Sequence, residues 1–190
     1  LMPERAGEHL SPLGHAWLAG LVQHAAATTA FATPTVNGYR RYRPNSLAPD
    51  RATWCYDHRG VMLRVLGAPG DPATRIENRI GEPAANPYLY VLSQIVAGLD
   101  GVEQKLDPGP PDDDPYAADR PLLPTSLPDA LAALERDPLF REELGDVFID
   151  YFVKLKRSEA GRFAQWCVET GTNAGDESTE WEQNEYFDFF

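Results

Sequence analysis

The sequence predicts an α+β domain in which a few short antiparallel strands are followed by a helical carboxyl-terminal half. Three patterns support this class: helical spacing near the amino end, strand-like runs in the middle, and repeated helix caps afterwards. The 190 residues, 43% of them hydrophobic, are enough for one packed core. We expect one main unit over residues 1–170 and an acidic, aromatic tail over residues 171–190.

The first predicted element is a single long helix. Ser11 and Pro12 form an N-cap and first-turn pair. Apolar residues around Trp17 repeat at helical spacing up to Pro34, which predicts one helix of about twenty residues. Residues 37–50 mix turn formers with arginines and show neither a helix nor a strand period, so a long loop should follow.

Short strands come next. Residues 52–56, 61–66 and 74–80 have the composition of strands and are separated by turn formers. Because the connection between the first two is short, they are predicted to form a hairpin.

The rest of the chain is predicted to be helical. Asn86 caps a segment, residues 88–99, that is apolar on nearly all sides, so we expect this helix at the centre of the core. Ser126 and Asp137 open two further helices, and a longer helix follows them. The tail is too apolar to remain in water and should dock on this or another subunit.

The overall charge limits the classes of partner. The net charge is −12, which disfavours binding to nucleic acid or to an anionic membrane surface. The sequence shows no signal core and no membrane-spanning run, so the expected location is the cytoplasm. Cys55 and Cys167 lie far apart without a motif and are interpreted as free thiols.

One segment departs from this acidic character. Residues 40–79 contain eight arginines, no lysine and four acidic residues, whereas the rest of the chain is strongly acidic. The guanidinium group keeps its charge and binds carboxylate or phosphate through two parallel hydrogen bonds. This block therefore predicts a local anion site.

The third predicted strand gives a more specific prediction for the anion site. A period of two places Arg75, Glu77 and Arg79 on one face. Alternate side chains on a strand are about 7 Å apart, which suggests that the arginines do not simply neutralise Glu77. A metal ion together with phosphate oxygens would satisfy all three groups. The alternative is an exposed ladder of salt bridges.

Several short motifs occur together in a characteristic order. Two contain a glycine within two residues of an arginine, and one precedes the predicted central helix. The motifs are Asn37-Gly38-Tyr39-Arg40-Arg41, Ala48-Pro49, His58-Arg59-Gly60 with Arg64, Arg75-Ile76-Glu77-Asn78-Arg79, Ala85-Asn86-Pro87-Tyr88-Leu89 and Ala97-Gly98-Leu99-Asp100-Gly101.

In order and spacing, these motifs resemble the carboxyl-terminal half of the catalytic domain of the glutamine synthetase family. The resemblance implies a partial catalytic domain of that type over residues 1–170, in an ATP-dependent ligase that joins glutamate to an amine or ammonia. It also implies a divalent ion, Mg²⁺ or Mn²⁺, and a ring-shaped homo-oligomer. The family's other metal-ligating carboxylates would precede this sequence, so this chain alone is expected to be inactive.

The resemblance also implies roles for individual residues. Arg59 and Arg79 would be catalytic. The substrate-binding set, which holds glutamate and the transferring phosphoryl group, would be Arg41, Arg59 and Arg79. Arg64 and Arg75 would bind the ATP phosphates, and Glu77 would be a metal ligand.

One departure from the family pattern bears on the acceptor. Members that use ammonium have a glutamate where this chain has Leu47, and an aliphatic side chain can neither hold ammonium nor accept its proton. The loop is similar to that of the γ-glutamyl-amine ligases of the superfamily, which favours an organic amine over ammonia. A non-catalytic relative that serves assembly or binds a metabolite is the alternative function.

Overall fold

The computed structural model describes residues 9–43, 46, 48–116, 119–173, 175 and 177–188. In these residues the chain forms seven α-helices, one short 3₁₀-helix and a three-stranded sheet, which confirms the α+β class. The helices are α1 Pro12–Gln23, α2 Ala25–Ala32, α3 Pro87–Gln104, α4 Leu127–Arg136, α5 Pro138–Leu144, α6 Asp146–Thr170 and α7 Glu180–Tyr186; the 3₁₀-helix is Gly38–Arg41, and the strands are β1 Trp54–Tyr56, β2 Leu63–Leu66 and β3 Arg75–Asn78.

The predicted long first helix is instead two helices, broken at His24. The Ser11 cap is confirmed, because its hydroxyl accepts a hydrogen bond from the Gly14 amide at 3.0 Å. The His24 ring contacts Asp137 at 2.6 Å and Asp100 at 2.9 Å, so the break is fixed by residues distant in sequence. Burial alone would lower the pKa of His24, but the hydrogen bonds and charges of both carboxylates outweigh burial and raise it.

The sheet has the order β1-β2-β3, and the predicted hairpin is wrong. β1 and β2 pair in parallel, with Trp54 opposite Leu63, while β2 and β3 pair antiparallel. The chain leaves β1 through Asp57, whose φ of 47° lies in the left-handed region. The connection then runs back beside β1 before β2 begins. The turn formers between the two strands are typical of a direct reversal, but here they belong to a longer connection, after which the chain runs again in the direction of β1.

Helices α1 and α3 cross in backbone contact. A Cβ atom added to Gly20 of α1 would lie 2.8 Å from the amide nitrogen of Gly101 of α3. The same construction on Gly98 would overlap the ring of Trp17. Glycines at this crossing therefore allow an approach that any larger residue would prevent.

Aromatic side chains form the centre of the remaining core. The ring of Phe31 in α2 lies 5.5 Å from that of Phe140 in α5 and 4.9 Å from that of Phe152 in α6. All three residues are buried, and the buried cluster that contains them also includes Trp54 and Leu63, so the sheet and the carboxyl-terminal helices belong to one hydrophobic core.

The prediction for α3 is half right. Asn86 caps it as expected, accepting hydrogen bonds from the amides of Tyr88 at 3.0 Å and Leu89 at 3.3 Å. The helix is not buried on most sides. Its small residues face α1 and Val96 is buried, but a stripe of its large apolar residues faces outward. Tyr88 is 84% exposed, and the exposed stripe continues through Val91, Ile95 and Leu99.

No helix among the described residues has both the length and the apolar character needed to cross a bilayer. Cys55 is buried, Cys167 is half-buried, and both are free thiols, as predicted. The caps at Ser126 and Asp137 are also confirmed, since each side chain accepts a hydrogen bond from the helix that follows it.

Candidate active site

A cluster of two arginines and one glutamate lies on β2 and at the end of β3. The register of the two strands places Arg64 directly opposite Glu77. Arg64 Nη1 lies 3.2 Å from Glu77 Oε2, and Arg79 Nη1 lies 2.6 Å from Glu77 Oε1. We call these three residues the sheet cluster. One carboxylate is thus held between two guanidinium groups.

The sheet cluster extends into the loop after β1. Arg64 Nη2 also pairs with the carboxylate of Asp57, the residue with the left-handed backbone. The Arg64 side chain is largely buried, so it is fixed between Asp57 on one side and Glu77 on the other. Asp57 was not predicted as a site residue; its only sequence signal is its place in the turn before Arg59.

The two arginines keep Glu77 ionised. Partial burial would raise the pKa of the Glu77 carboxyl, but the hydrogen bonds and charges of Arg79 and Arg64 outweigh it and hold the pKa below its usual value. An ionised carboxylate is the oxygen ligand that Mg²⁺ and Mn²⁺ prefer.

Arg41 approaches the same end of the sheet from the 3₁₀-helix. Its Nη2 donates to the carbonyl of Ile80, the residue directly after Arg79. Tyr42 donates to this carbonyl at 2.9 Å, and the Arg41 guanidinium lies 5.0 Å from the centre of the Tyr42 ring. The structure therefore places Arg41 at the end of β3, next to the residue that follows Arg79.

Glycine is required in the segment that carries Arg41. A Cβ atom on Gly38 would overlap the carboxylate of Glu82 and lie 2.5 Å from Thr33 Cγ2. Glu82 accepts a hydrogen bond from the Thr35 hydroxyl at 2.8 Å, and burial raises the pKa of its carboxyl. Sequence reasoning missed Glu82, which was not singled out by any motif or period in the sequence.

Two predicted site arginines do not join the sheet cluster. Arg75 is exposed and donates to the carbonyl of Ala73 at 3.0 Å. Arg59 is exposed, and within the described part of the chain no hydrogen bond or ion pair is found for it. Both guanidinium groups remain accessible to a ligand.

The prediction that no arginine neutralises Glu77 is wrong. Alternate side chains on a strand are well separated, but the long side chain of Arg79 spans the distance to the Glu77 carboxylate. Arg64, from the neighbouring strand, takes the place predicted for Arg75 because residues opposite each other in a sheet are closer than alternate residues along one strand.

The residues present fit a bound phosphate and part of a metal site. The buried Nε atoms of Arg41 and Arg64 have no hydrogen-bond partner among the described residues, and buried donors are normally satisfied, so an anion oxygen would complete them. No group of three metal-ligating side chains occurs where the structure describes the chain, so Glu77 would supply only one ligand of such a site. Leu47 lies outside the described residues.

Comparison with known proteins gives consistent matches along the chain. The sequence model described as glutamine synthetase, catalytic domain, matches residues 1–173. The γ-glutamylanilide synthase of Acinetobacter sp is 54% identical over 182 residues, which are 95% of this chain and 36% of that protein. The glutamine synthetase of Archaeoglobus fulgidus is 39% identical over 189 residues, covering 94% of this chain and 36% of the relative.

Solved structures agree with these matches. The structure titled "Apo GmaS without ligand" has a TM-score of 0.75 and 35% sequence identity, covering 97% of this chain and 41% of that one. The "GmaS/ADP complex-Conformation 1" has a TM-score of 0.73 and 33% identity, covering 97% and 42%. The chain thus spans well under half the length of the proteins that it matches.

Proposed function

Because this chain belongs to the glutamine synthetase family, we propose that it is part of an ATP-dependent ligase that joins the side-chain carboxylate of glutamate to an amine. The activity is proposed for the whole protein, since the chain covers about a third of its curated relatives. The observation that carries the proposal is the sheet cluster, in which Glu77 is held between Arg64 and Arg79 beside Arg41.

The arginines divide into two proposed tasks. Arg41, Arg59 and Arg79 bind glutamate and the phosphoryl group in transfer, with Arg59 and Arg79 acting directly on the reacting atoms. Arg64 and Arg75 bind the phosphates of ATP. Exposure of Arg59 and Arg75 supports these tasks, because an exposed guanidinium is free to bind an anion from solution.

The chemistry needs concentrated positive charge. The glutamate side-chain carboxylate accepts the terminal phosphoryl group of ATP, and the amine then attacks the acyl carbon as phosphate leaves. Fixed guanidinium groups offset the charge on the transferring group without having to reorganise. A divalent ion, Mg²⁺ or Mn²⁺, bound at Glu77 would supply further charge to the phosphate oxygens. Its other ligands would come from outside the described residues.

We further propose that the acceptor is an organic primary amine. Leu47 replaces the acidic residue that ammonium-using members place in this loop. The relative with 54% identity is named for a γ-glutamylanilide, whereas the glutamine synthetase of Archaeoglobus fulgidus is 39% identical. An aromatic amine is therefore the first acceptor to test.

The test is a comparison of acceptors with the full-length protein. We expect an organic amine such as aniline, putrescine or ethanolamine to raise phosphate release from ATP and glutamate by about tenfold or more over the rate without amine. Ammonium should give a smaller increase. Activity with ammonium alone would contradict the proposed acceptor. Absence of activity with every amine would favour the non-catalytic alternative.

The proposal includes a homo-oligomer, as the family resemblance implies. Exposed apolar residues at helical spacing on α3, including Tyr88 and Ile95, support it, because such patches mark protein contacts. A similar exposed stripe on α6 contains Val147, Tyr151 and Leu155. The proposed ligands of the active site are glutamate and the amine, and the proposal includes no binding to nucleic acid or to a membrane.

A further inference from the structure

A buried carboxylate in the tail carries an additional inference. Glu182, in α7, is only 2% exposed. It accepts hydrogen bonds from the Thr179 amide at 2.6 Å and the Thr179 hydroxyl at 2.7 Å, and the Glu182 amide donates back to that hydroxyl. This capping box fixes the carboxylate at the start of α7.

The same carboxylate binds an arginine of the 3₁₀-helix. Arg40 Nη1 lies 2.8 Å from Glu182 Oε2 and 2.7 Å from Oε1. Removal of one partner from a buried ion pair leaves the other charge uncompensated and displaces the group that it holds. Glu182 is therefore tied to the 3₁₀-helix, the element that ends at Arg41.

A second contact from α7 fixes the start of this segment. The Val36 amide donates to the Tyr186 hydroxyl at 3.1 Å, and that hydroxyl donates to Glu159 of α6 at 2.5 Å. Tyr186 thus connects Val36 to a nearly buried carboxylate. Together, Tyr186 and Glu182 hold the segment from Val36 to Arg40 at both ends.

Glu82 also packs closely against this segment. A Cβ atom on Gly38 would overlap the Glu82 carboxylate, so little space separates the 3₁₀-helix from Glu82. In a 3₁₀-helix, with three residues per turn, neighbouring side chains point about 120° apart. Arg40 accordingly points to Glu182, while Arg41 points to the carbonyl of Ile80 at the end of β3.

We propose that α7 positions the glutamate-binding arginine, with Glu182 acting as a positioning residue through Arg40 on Arg41. This inference rests on the proposed function, because it uses the role of Arg41 in binding glutamate. Under this proposal the tail contributes to the affinity for glutamate, because α7 fixes the distant 3₁₀-helix that carries Arg41.

The experiment uses the full-length protein and compares two glutamates of the same helix. Glu182→Gln keeps the size of the side chain and removes its charge, so we expect the KM for glutamate to rise about tenfold, with the KM for ATP changed by less than about twofold. Glu185→Gln is the matched control. Glu185 accepts hydrogen bonds from Arg162 at 2.9 and 2.6 Å and faces α6, so its loss should leave both KM values unchanged.

A second variant covers the case in which Glu182→Gln fails to fold. Arg40→Met preserves the capping box and removes the ion pair, and we expect the same selective rise in the KM for glutamate. Because both variants remove one interaction, the double variant should be no worse than the more affected single variant.

The outcomes separate the positioning role from the proposed function. An equal rise in both KM values, or the same effect from Glu185→Gln, would reduce α7 to a structural element and overturn the proposal. Arg41→Ala is measured alongside. If Arg41→Ala raises the KM for glutamate and Glu182→Gln and Arg40→Met do not, only the positioning role fails. If Arg41→Ala leaves that KM unchanged, the assigned role of Arg41 fails and the positioning proposal fails with it.

Discussion

Substitution of Arg79 by alanine in the full-length protein is expected to lower the kcat for amine-dependent phosphate release by at least about a hundredfold to a thousandfold. The change removes a guanidinium group proposed to contact the transferring phosphoryl group. It also removes the 2.6 Å contact that orients Glu77, the proposed metal ligand. Both losses act on the same step, so the effect should exceed that of removing Arg64, the other arginine of the sheet cluster.

A matched arginine distinguishes this effect from a general loss of charge. Arg157 lies on α6, its side chain is 54% exposed, and it pairs with Glu135 away from the sheet. Arg157→Ala should leave kcat within about twofold of the unaltered protein, as expected for an exposed ion pair. Near-normal turnover by Arg79→Ala, in a protein whose circular dichroism shows a folded state, would overturn the role assigned to Arg79.

Gly101→Ala is expected to destabilise the protein strongly, lowering the free energy of unfolding by about 3 kcal/mol. In an open helix, alanine is more favourable than glycine by up to about 1 kcal/mol. At this crossing, however, the new methyl group would overlap the Ala16 carbonyl and lie 2.6 Å from the Gly20 amide nitrogen. Both atoms are backbone, so α1 and α3 would have to move apart.

Gly161→Ala provides the control with the opposite sign. Gly161 lies in α6 and is exposed, and an added Cβ atom would meet nothing within 4 Å among the described residues. This change should raise the free energy of unfolding by about 0.5–1 kcal/mol. Chemical denaturation of both variants measures the difference. An unchanged or raised stability for Gly101→Ala would contradict the close crossing of α1 and α3.

Local features of the fold were predictable because they depend on neighbouring residues. The caps at Ser11, Asn86, Ser126 and Asp137 each need one polar side chain a few positions before a free amide. The third strand was recognised for a similar reason, because its period of two is independent of its partners.

Features that depend on distant residues were not predictable. The helix break at His24 is associated with carboxylates from α3 and from the start of α5. The direction of β2 depends on the path of a loop whose residues also occur in tight turns. The orientation of α3 follows from the glycine contact with α1, which no periodicity reveals when a helix is apolar on nearly all sides.

In the candidate site, too, contacts between residues distant in sequence were the ones that could not be predicted. The strand period placed Arg75, Glu77 and Arg79 on one face, but it did not predict that Arg79 contacts Glu77 while Arg75 does not. The contact between Arg40 and Glu182 joins positions 142 residues apart, and nothing in either local sequence indicates it. The family assignment itself came from the order of several short motifs, since no single motif would have sufficed.

Isotope transfer from glutamate to phosphate examines the proposed reaction at the atoms that react. The full-length protein would receive ATP, Mg²⁺, an accepted amine and glutamate with ¹⁸O in its side-chain carboxylate. If this carboxylate takes the phosphoryl group and the amine then displaces phosphate, one labelled oxygen must appear in phosphate for each amide formed. Mass spectrometry of the phosphate would show that label. Amide formation accompanied by unlabelled phosphate would contradict activation of glutamate by phosphoryl transfer.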